Sequence, residues 1–359
     1  MIDLNFQDLP DISFFRKSFS GETIDSKADT ETRLLVAEAQ RLGFSWRVIP
    51  NSDVIELDLK GHLEYIRRRT PSSNRSPGTR ICSDKNLTRS FLEMANLPTN
   101  KGYAVRNSDS EEYRSSLFES LQKPVVVKPA HGTHGTCVKI GVENLTDYLR
   151  DVQELFETVE QDKELERGSV AVEEMFSGTE YRIIATRERV VAIMYRKPAS
   201  VVGDGHHTIT QLIKMKNTDP MRNLSQDMYP YIKLDKEMMA ILSDQGYDEG
   251  SVPDEGHQVW LRRVSNIMAG GDAYDATDDA HDSVKEIAIK TIQAIPGLTF
   301  GGIDFMTKDI KAEQGEVGCA IIEVNSAPEF AMHDFPMYGV KRGVAIEVLS
   351  LMFPELRNL

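Results

Sequence analysis

Two lysines, a glycine-rich loop and three oxygen-bearing side chains on apolar stretches are the parts of this 359-residue sequence whose types and spacing could do chemistry. Lys128 closes the run Lys-Pro-Val-Val-Val-Lys, and after Pro129 and Ala130 come His131, Gly132, Thr133, His134 and Gly135. Lys85 stands in an earlier segment, near the start of an expected helix. Two lysines from separate segments beside a flexible glycine loop can neutralise phosphates, and the loop N–H groups add donors. Taken alone, each lysine reads as a surface charge and the loop as a plain turn. A Walker A loop is excluded, because counting from Gly132 puts Cys137, Val138 and Lys139 where Gly-Lys-Ser/Thr is required. The run Gly-Asp-Gly-His-His-Thr at 203–208 is no dinucleotide fingerprint either: Thr208 replaces the last glycine and no strand–turn–helix frames it.

The stretch VAVEEMFSGTEYR (170–182) ends an apolar strand in Glu173 and Glu174, then offers Met175, Phe176, a Ser-Gly turn and Glu180. Backbone groups around Glu174 and Phe176 can pair with an adenine edge, and Glu180 can accept from ribose hydroxyls. A strand with a solvated acidic end is the equal alternative. Asp304 lies in GGIDFM, and Glu323 and Asn325 lie in AIIEVN. Two residues apart on a strand, Glu323 and Asn325 share one face. A carboxylate on an apolar strand is costly unless paired or bound to a cation. Three such oxygen donors match Mg2+ bridging nucleotide phosphates. Pairing with Arg or Lys stays open as the other explanation.

Elements must position these groups. Apolar spacing predicts a helix over 29–43, strands at Ser45–Ile49 and Val54–Leu59, and a polar, basic loop or linker over 67–80. A helix from Ile81 carries Leu87, Phe91, Met94 and Ala95 at helical spacing and ends before Pro98. Further on come a strand at Val125–Val127, a helix at Leu145–Phe156 and a strand at Ser169–Glu173. A hairpin of Tyr181–Ala185 with Val190–Tyr195 follows. Val284, Ile287, Ala288 and Ile292 mark a helix; strands at Thr299–Met306 and Cys319–Asn325 and a helix at Val344–Phe353 complete the set. Helices segregated against mainly antiparallel strands give an α+β class, with a smaller α/β domain ahead.

A net charge of −14, from 42 basic and 56 acidic residues, argues against general affinity for nucleic acid or anionic membrane. It leaves room for a local basic pocket. Cys82, Cys137 and Cys319 are odd in number and share no metal-like spacing, which suits a reducing cytoplasm. The opening residues lack the basic flank and apolar core of a signal peptide, and no apolar run approaches membrane-spanning length. A soluble, cytoplasmic globular protein is expected.

Taken in order, Asp84-Lys85, KPVVVKP with its loop, EEMFSGTEYR, LRRVSNIMAGG, GGIDF and IIEVN resemble the ATP-grasp superfamily of carboxylate–amine ligases. The texture of 180–209, 270–281 and 325–336 is similar to cyanophycin synthetase and to the synthetase half of bifunctional glutathione synthetases. The resemblance runs from about residue 80 to 345. It does not extend to the Mur-ligase-like half of the former or the glutamate–cysteine ligase domain of the latter.

The resemblance implies an ATP-grasp fold of two α+β subdomains clamping ATP. Residues 1–98 would form the preceding domain, 99–176 the central subdomain with the glycine loop, and 177–359 the C-terminal subdomain with a 203–258 insertion. Lys85 and Lys128 would contact ATP phosphates and loop 131–136 would close over them. Glu173, Glu174, Met175, Phe176 and Glu180 would hold the adenosine; Asp304, Glu323 and Asn325 would ligate two Mg2+ ions, with Mn2+ as a substitute. Arg263 and Asn266 would meet the transferred phosphoryl group, with Arg182, Arg196, His333 and Arg342 on the substrate side. His131 and His134 depart from the small polar residues usual in relatives.

The implied reaction joins an amino-acid-type carboxylate, γ-glutamyl or aspartyl, to an amine through an acyl phosphate, with flexible segments as lids. No nucleic acid or membrane partner is expected; the resemblance admits a homo-oligomer, for which the sequence carries no interface signature. Two rivals remain: a ligase modifying side chains of a precursor peptide, and a non-catalytic nucleotide-binding module. The intact Asp304, Glu323 and Asn325 set speaks against the second.

Overall fold

A computed structural model describes residues 28–131, 137–161, 169–224, 228–315 and 318–358. Within its four sheets every strand pairing is antiparallel. The first sheet runs in sequence order: β1 (Ser45–Val48), β2 (Val54–Leu59), β3 (His62–Arg67) and β4 (Thr70–Pro71). Ahead of it lies helix Thr30–Arg41, whose N-cap Asp29 accepts from Thr32 N at 2.8 Å. That helix buries Leu34, Leu35, Val36 and Ala39 against the C-terminal helix Val344–Met352.

The second sheet holds β5 (Gly102–Arg106), β6 (Val125–Pro129), β7 (Lys139–Val142) and β8 (Ser169–Glu174), in the order β5-β8-β6-β7. Helices Glu111–Glu119 and Leu145–Gln161 cover it, closing a core of Val105, Val125, Val127, Tyr148, Phe156, Val170 and Val172.

The third sheet is central. It comprises β9 (Thr179–Thr186), β10 (Val190–Lys197), β13 (Asp272–Asp275), β14 (Phe300–Thr307) and β15 (Cys319–Asn325), in the order β13-β10-β9-β14-β15. Between β10 and β13 the chain makes a smaller unit. There β11 (Ser200–Val202) pairs with β12 (Gln258–Trp260), and helices Ile209–Lys216 and Lys236–Asp244 pack a separate apolar cluster.

Alternation along the central strands decides which side chains face the site. Ile183, Ile193, Ile303 and Phe305 pack on one face with helix Asp282–Ala294. Ile184, Met194 and Phe300 lie in the other core, so Arg182, Arg196 and Asp304 share that second face. β15 needs an irregularity to join them. Ile321 and Val324, three residues apart, both pack in the first core, and the register shifts where Asp304 pairs with Glu323 but Phe305 pairs with Ile321. The extra residue, Ile322, turns Glu323 and Asn325 toward Asp304.

Two local readings need correction. The 67–80 segment is not a loop: Arg67 ends β3, β4 follows, and Ser76–Cys82 is a helix with Pro77 in its first turn. The next helix, Lys85–Met94, is separate and begins at N-cap Asp84. Its buried face matches the apolar one only in part, since Phe91 does pack against the core. Leu87 and Met94 are exposed, whereas Thr88, Arg89 and Leu92 are buried. Arg89 is drawn inward by an ion pair, which overrides the apolar pattern.

Candidate active site

Asp304 is the electrostatic centre. Its carboxylate accepts from Arg182 Nε at 2.7 Å and Nη2 at 3.2 Å, and from Arg196 Nη2 at 2.9 Å. Arg196 is bonded to Glu180 as well. Burial opposes ionisation of Asp304, yet Arg182 and Arg196 hold its carboxyl below the usual carboxylate range. Burial pushes Glu180 up despite Arg196. Burial also works against the Arg196 guanidinium, but Asp304 and Glu180 outweigh it and keep that group charged.

A second set of ion pairs lies where the central and second sheets meet. Lys85 Nζ is 3.7 Å from Glu323 Oε1. Lys128 Nζ donates to Glu173 Oε2 at 2.8 Å, and Arg89 Nη1 donates to the other oxygen at 3.1 Å. Lys85, Arg89, Glu173 and Glu323 line one small cavity. Lys85 also adds to the field that lowers Asp304. Residues from four separate segments, 85–89, 128, 173 and 323, therefore converge.

Other expected site residues are placed less uniformly. Gly132, Thr133, His134 and Gly135 lie outside the described residues. His131 is described: its Nδ1 bonds Ser83 O at 2.7 Å, beside the Lys85 helix. Lys85 N donates to Ala130 O at 3.0 Å, so the base of the loop is fixed to that helix. Glu174 and Met175 donate their N–H groups to Lys101 O and Pro124 O, and the Glu174 side chain accepts from Gln122 N. Phe176 is half-buried and Met175 exposed. Arg263 is well exposed and pairs with Asp244. Asn266 caps a short 3-10 turn, accepting from Met268 N at 2.9 Å. Arg342 is held by Asp275 and Asp278.

His333 is buried, and its Nε2 has no hydrogen-bond partner. Burial, with Arg182 and Arg196 nearby, pushes its pKa down to about 3, so the ring is neutral at pH 7.

Two parts of the site escaped sequence reasoning. One is Arg89, whose only signal was a cation on the buried side of a helix. The other is a cavity of about 280 Å3 lined by Glu31, Arg33, Arg69, Glu329 and three methionines, Met228, Met268 and Met332. Arg69 sits 3.6 Å from Glu31 and 3.4 Å from Glu329. Burial pushes Glu31 up, with Arg69 opposing. Glu329 also favours the charged form of Arg196, which joins this cavity to the Asp304 centre. Its lining comes from five stretches of chain, so no contiguous motif marks it.

The residues present fit a divalent cation in part. Asp304 and Glu323 are register partners, and Asn325 lies two residues along the same face. All three are hard oxygen donors. Asp304 is engaged by arginines here, which is the alternative that the sequence left open.

The fold is that of the ATP-grasp ligases, a mixed α+β architecture. The chain is homologous to cyanophycin synthetases and to bifunctional glutathione proteins. It is 31% identical over 324 residues to "Cyanophycin synthetase" of Crocosphaera subtropica, covering 90% of this chain and 36% of that protein. It is 32% identical over 330 residues to "Glutathione biosynthesis bifunctional protein GshAB" of Clostridium perfringens, covering 90% and 41%. The crystal structure of a bifunctional glutathione synthetase from Pasteurella multocida superposes with a TM-score of 0.70 at 27% identity, covering 92% of this chain and 44% of that one. The chain thus spans between 36% and 44% of the length of these relatives. No family model matches it. Among the described residues no helix is long and apolar enough to cross a membrane.

Proposed function

We propose that this chain is an ATP-dependent carboxylate–amine ligase that forms an amide through an acyl phosphate. The observation that carries it is the convergence of Lys85, Glu173 and Glu323 on one cavity, with Lys128 bonded to Glu173 and Asp304 opposite Glu323. Lys85 and Lys128 bind the ATP phosphates, exchanging their present partners Glu323 and Glu173 for phosphate oxygens. Glu323, Asn325 and Asp304 would hold Mg2+, one ion or two, and that ion would supply positive charge to offset the charge of the transferring group. Mn2+ would serve the same donors.

Arg182 and Arg196, both bonded to Asp304, would supply cations to a substrate carboxylate and the transferred phosphoryl group. The cavity of about 280 Å3, whose Glu329 acts electrostatically on Arg196, would take a substrate of amino-acid size. Its two arginines and several carboxylates suit a substrate bearing both a carboxylate and an ammonium group. Positioning and charge stabilisation supply the rate, and no side chain acts as a covalent nucleophile. Free thiols at Cys82, Cys137 and Cys319 fit a cytoplasmic site of action.

The test is ADP release measured against a panel of amino acids and short peptides, singly and in pairs. Stimulation by a carboxylate–amine pair, with loss of turnover in Glu323→Gln, is expected. No stimulation by any pair, with ATP still bound, would overturn the substrate class.

A further inference from the structure

Arg222 is fully buried, the largest such side chain among the described residues. It stands on helix Pro220–Leu224, inside the excursion between β10 and β13. Its guanidinium donates to Pro230 O at 2.8 Å, Gly270 O at 2.9 Å, Gly271 O at 3.1 Å and Asp272 Oδ1 at 2.7 Å. Lys216 Nζ takes the other Asp272 oxygen at 2.5 Å and also donates to Ser200 O. Asn217 adds a two-way pairing with the Ile232 backbone at 2.9 Å each way. Burying a guanidinium, an ammonium and a carboxylate together costs several kcal/mol of solvation per ion, roughly recovered only by good geometry. Such a network serves better to fix one backbone conformation than to add stability.

The backbone it fixes is the turn that carries Asn266. Gly271 N donates to Asn266 O at 3.3 Å, and Asn266 caps the 3-10 turn that ends at Gly270. The turn tolerates no side chain at either glycine. Gly270 has φ +95° and a Cβ there would meet Ile232 Cγ1 at 2.8 Å; a Cβ on Gly271 would meet Lys197 O at 2.7 Å. Carbonyls in so tight a turn have few other donors within reach, and Arg222 supplies one to each.

We propose that Arg222, with Lys216 and Asp272, is a positioning network that holds the turn carrying Asn266 in one conformation, and Asn266 with it. The helices of the 203–258 excursion act here as a brace rather than as a lid. The proposal rests on the role that the resemblance implies for Asn266 in the proposed ligase reaction, a contact of the transferring phosphoryl group.

A double-mutant cycle on the intact chain tests it, with kcat for ADP release and KM for ATP as readouts. Arg222→Met is expected to lower kcat about 10-fold or more in the natural background, with KM for ATP within about 2-fold, and to have little effect in an Asn266→Ala background. Lys216→Met, truncating a partly exposed side chain, should show the same coupling and decides the matter if Arg222→Met does not fold. Equal fold-losses in both backgrounds would overturn the positioning role while leaving Asn266 in place. An Asn266→Ala variant with unchanged kcat would instead remove the role of Asn266 itself, and the network's role with it.

Discussion

Asp304 and Glu323 stand opposite each other as register partners on neighbouring antiparallel strands, and each carries cations from elsewhere in the chain. Arg182 and Arg196 hold the first; Lys85 approaches the second. Two carboxylates this close repel unless cations lie between or around them. Removing one partner strands the others. Asp304→Asn leaves two buried guanidinium groups with a lost counter-charge and is expected to lower unfolding stability by about 3 kcal/mol. Urea denaturation checks it; an unchanged midpoint would mean that solvent or Glu180 compensates.

Lys128 gives a test of the phosphate contact. Buried and bonded to Glu173, it can exchange that carboxylate for a phosphate oxygen without leaving its place. Lys128→Met should weaken binding of a non-hydrolysable ATP analogue by about 10-fold or more. Lys290→Met, on an exposed helix face, should leave it unchanged. Calorimetric titration distinguishes the two, and equal effects would count against a phosphate contact.

A purely structural prediction concerns Asn74, which belongs to the 67–80 segment and is buried against the central sheet. It donates to Phe300 O at 2.8 Å and Ser326 O at 2.9 Å, and accepts from Thr299 N at 2.9 Å and Phe300 N at 3.1 Å. Asn74→Ala leaves these backbone groups unpaired next to the start of β14 and is expected to cost about 2–4 kcal/mol. A thermal melt within a degree of wild type would show that water replaces the side chain.

His333 makes stability depend on pH with a definite sign. Burial and the two arginines push its folded pKa down to about 3, against an ordinary 6.5. Between those values the unfolded chain binds a proton that the folded chain does not, so stability is present above pH 6.5 and drains away as pH falls toward 3. Asp334 next to it, raised by burial to about 7 while accepting from Val344 N and Ala345 N, works in the opposite sense. A difference measurement isolates the histidine. Relative to His333→Leu, wild type should lose roughly 1 kcal/mol per pH unit below 6.5. A pH-independent difference would mean that the ring is charged or solvated in the folded state.

Much of this was legible in the residues. Strand alternation placed Asp304 inward and gave Glu323 and Asn325 a shared face, and the Val125–Val127 run placed Lys128 at its end. The irregularity at Ile322 was not legible, because an apolar pair before Glu323 looks like an ordinary strand until its partner register is known. The 67–80 segment misled for a different reason: most of its polar side chains are exposed, as a loop's would be, while Pro71 and Asn74 are buried and Asn74 is bonded to the backbone of β14. Arg89 broke the helical pattern likewise, since an ion pair with Glu173 outweighs the exposure of Leu87 and Met94. The cavity of Glu31, Arg69 and Glu329 joins residues from near the two ends of the chain, and no local pattern links them.

The most direct measurement is the Mg2+ dependence of analogue affinity in Glu323→Gln set beside Lys128→Met. If cationic side chains and a divalent ion gather around one triphosphate, Glu323→Gln should bind the analogue with the same affinity whether or not Mg2+ is present. Lys128→Met should bind it more weakly in both conditions. Wild-type affinity and wild-type Mg2+ dependence in both variants would contradict a shared triphosphate site.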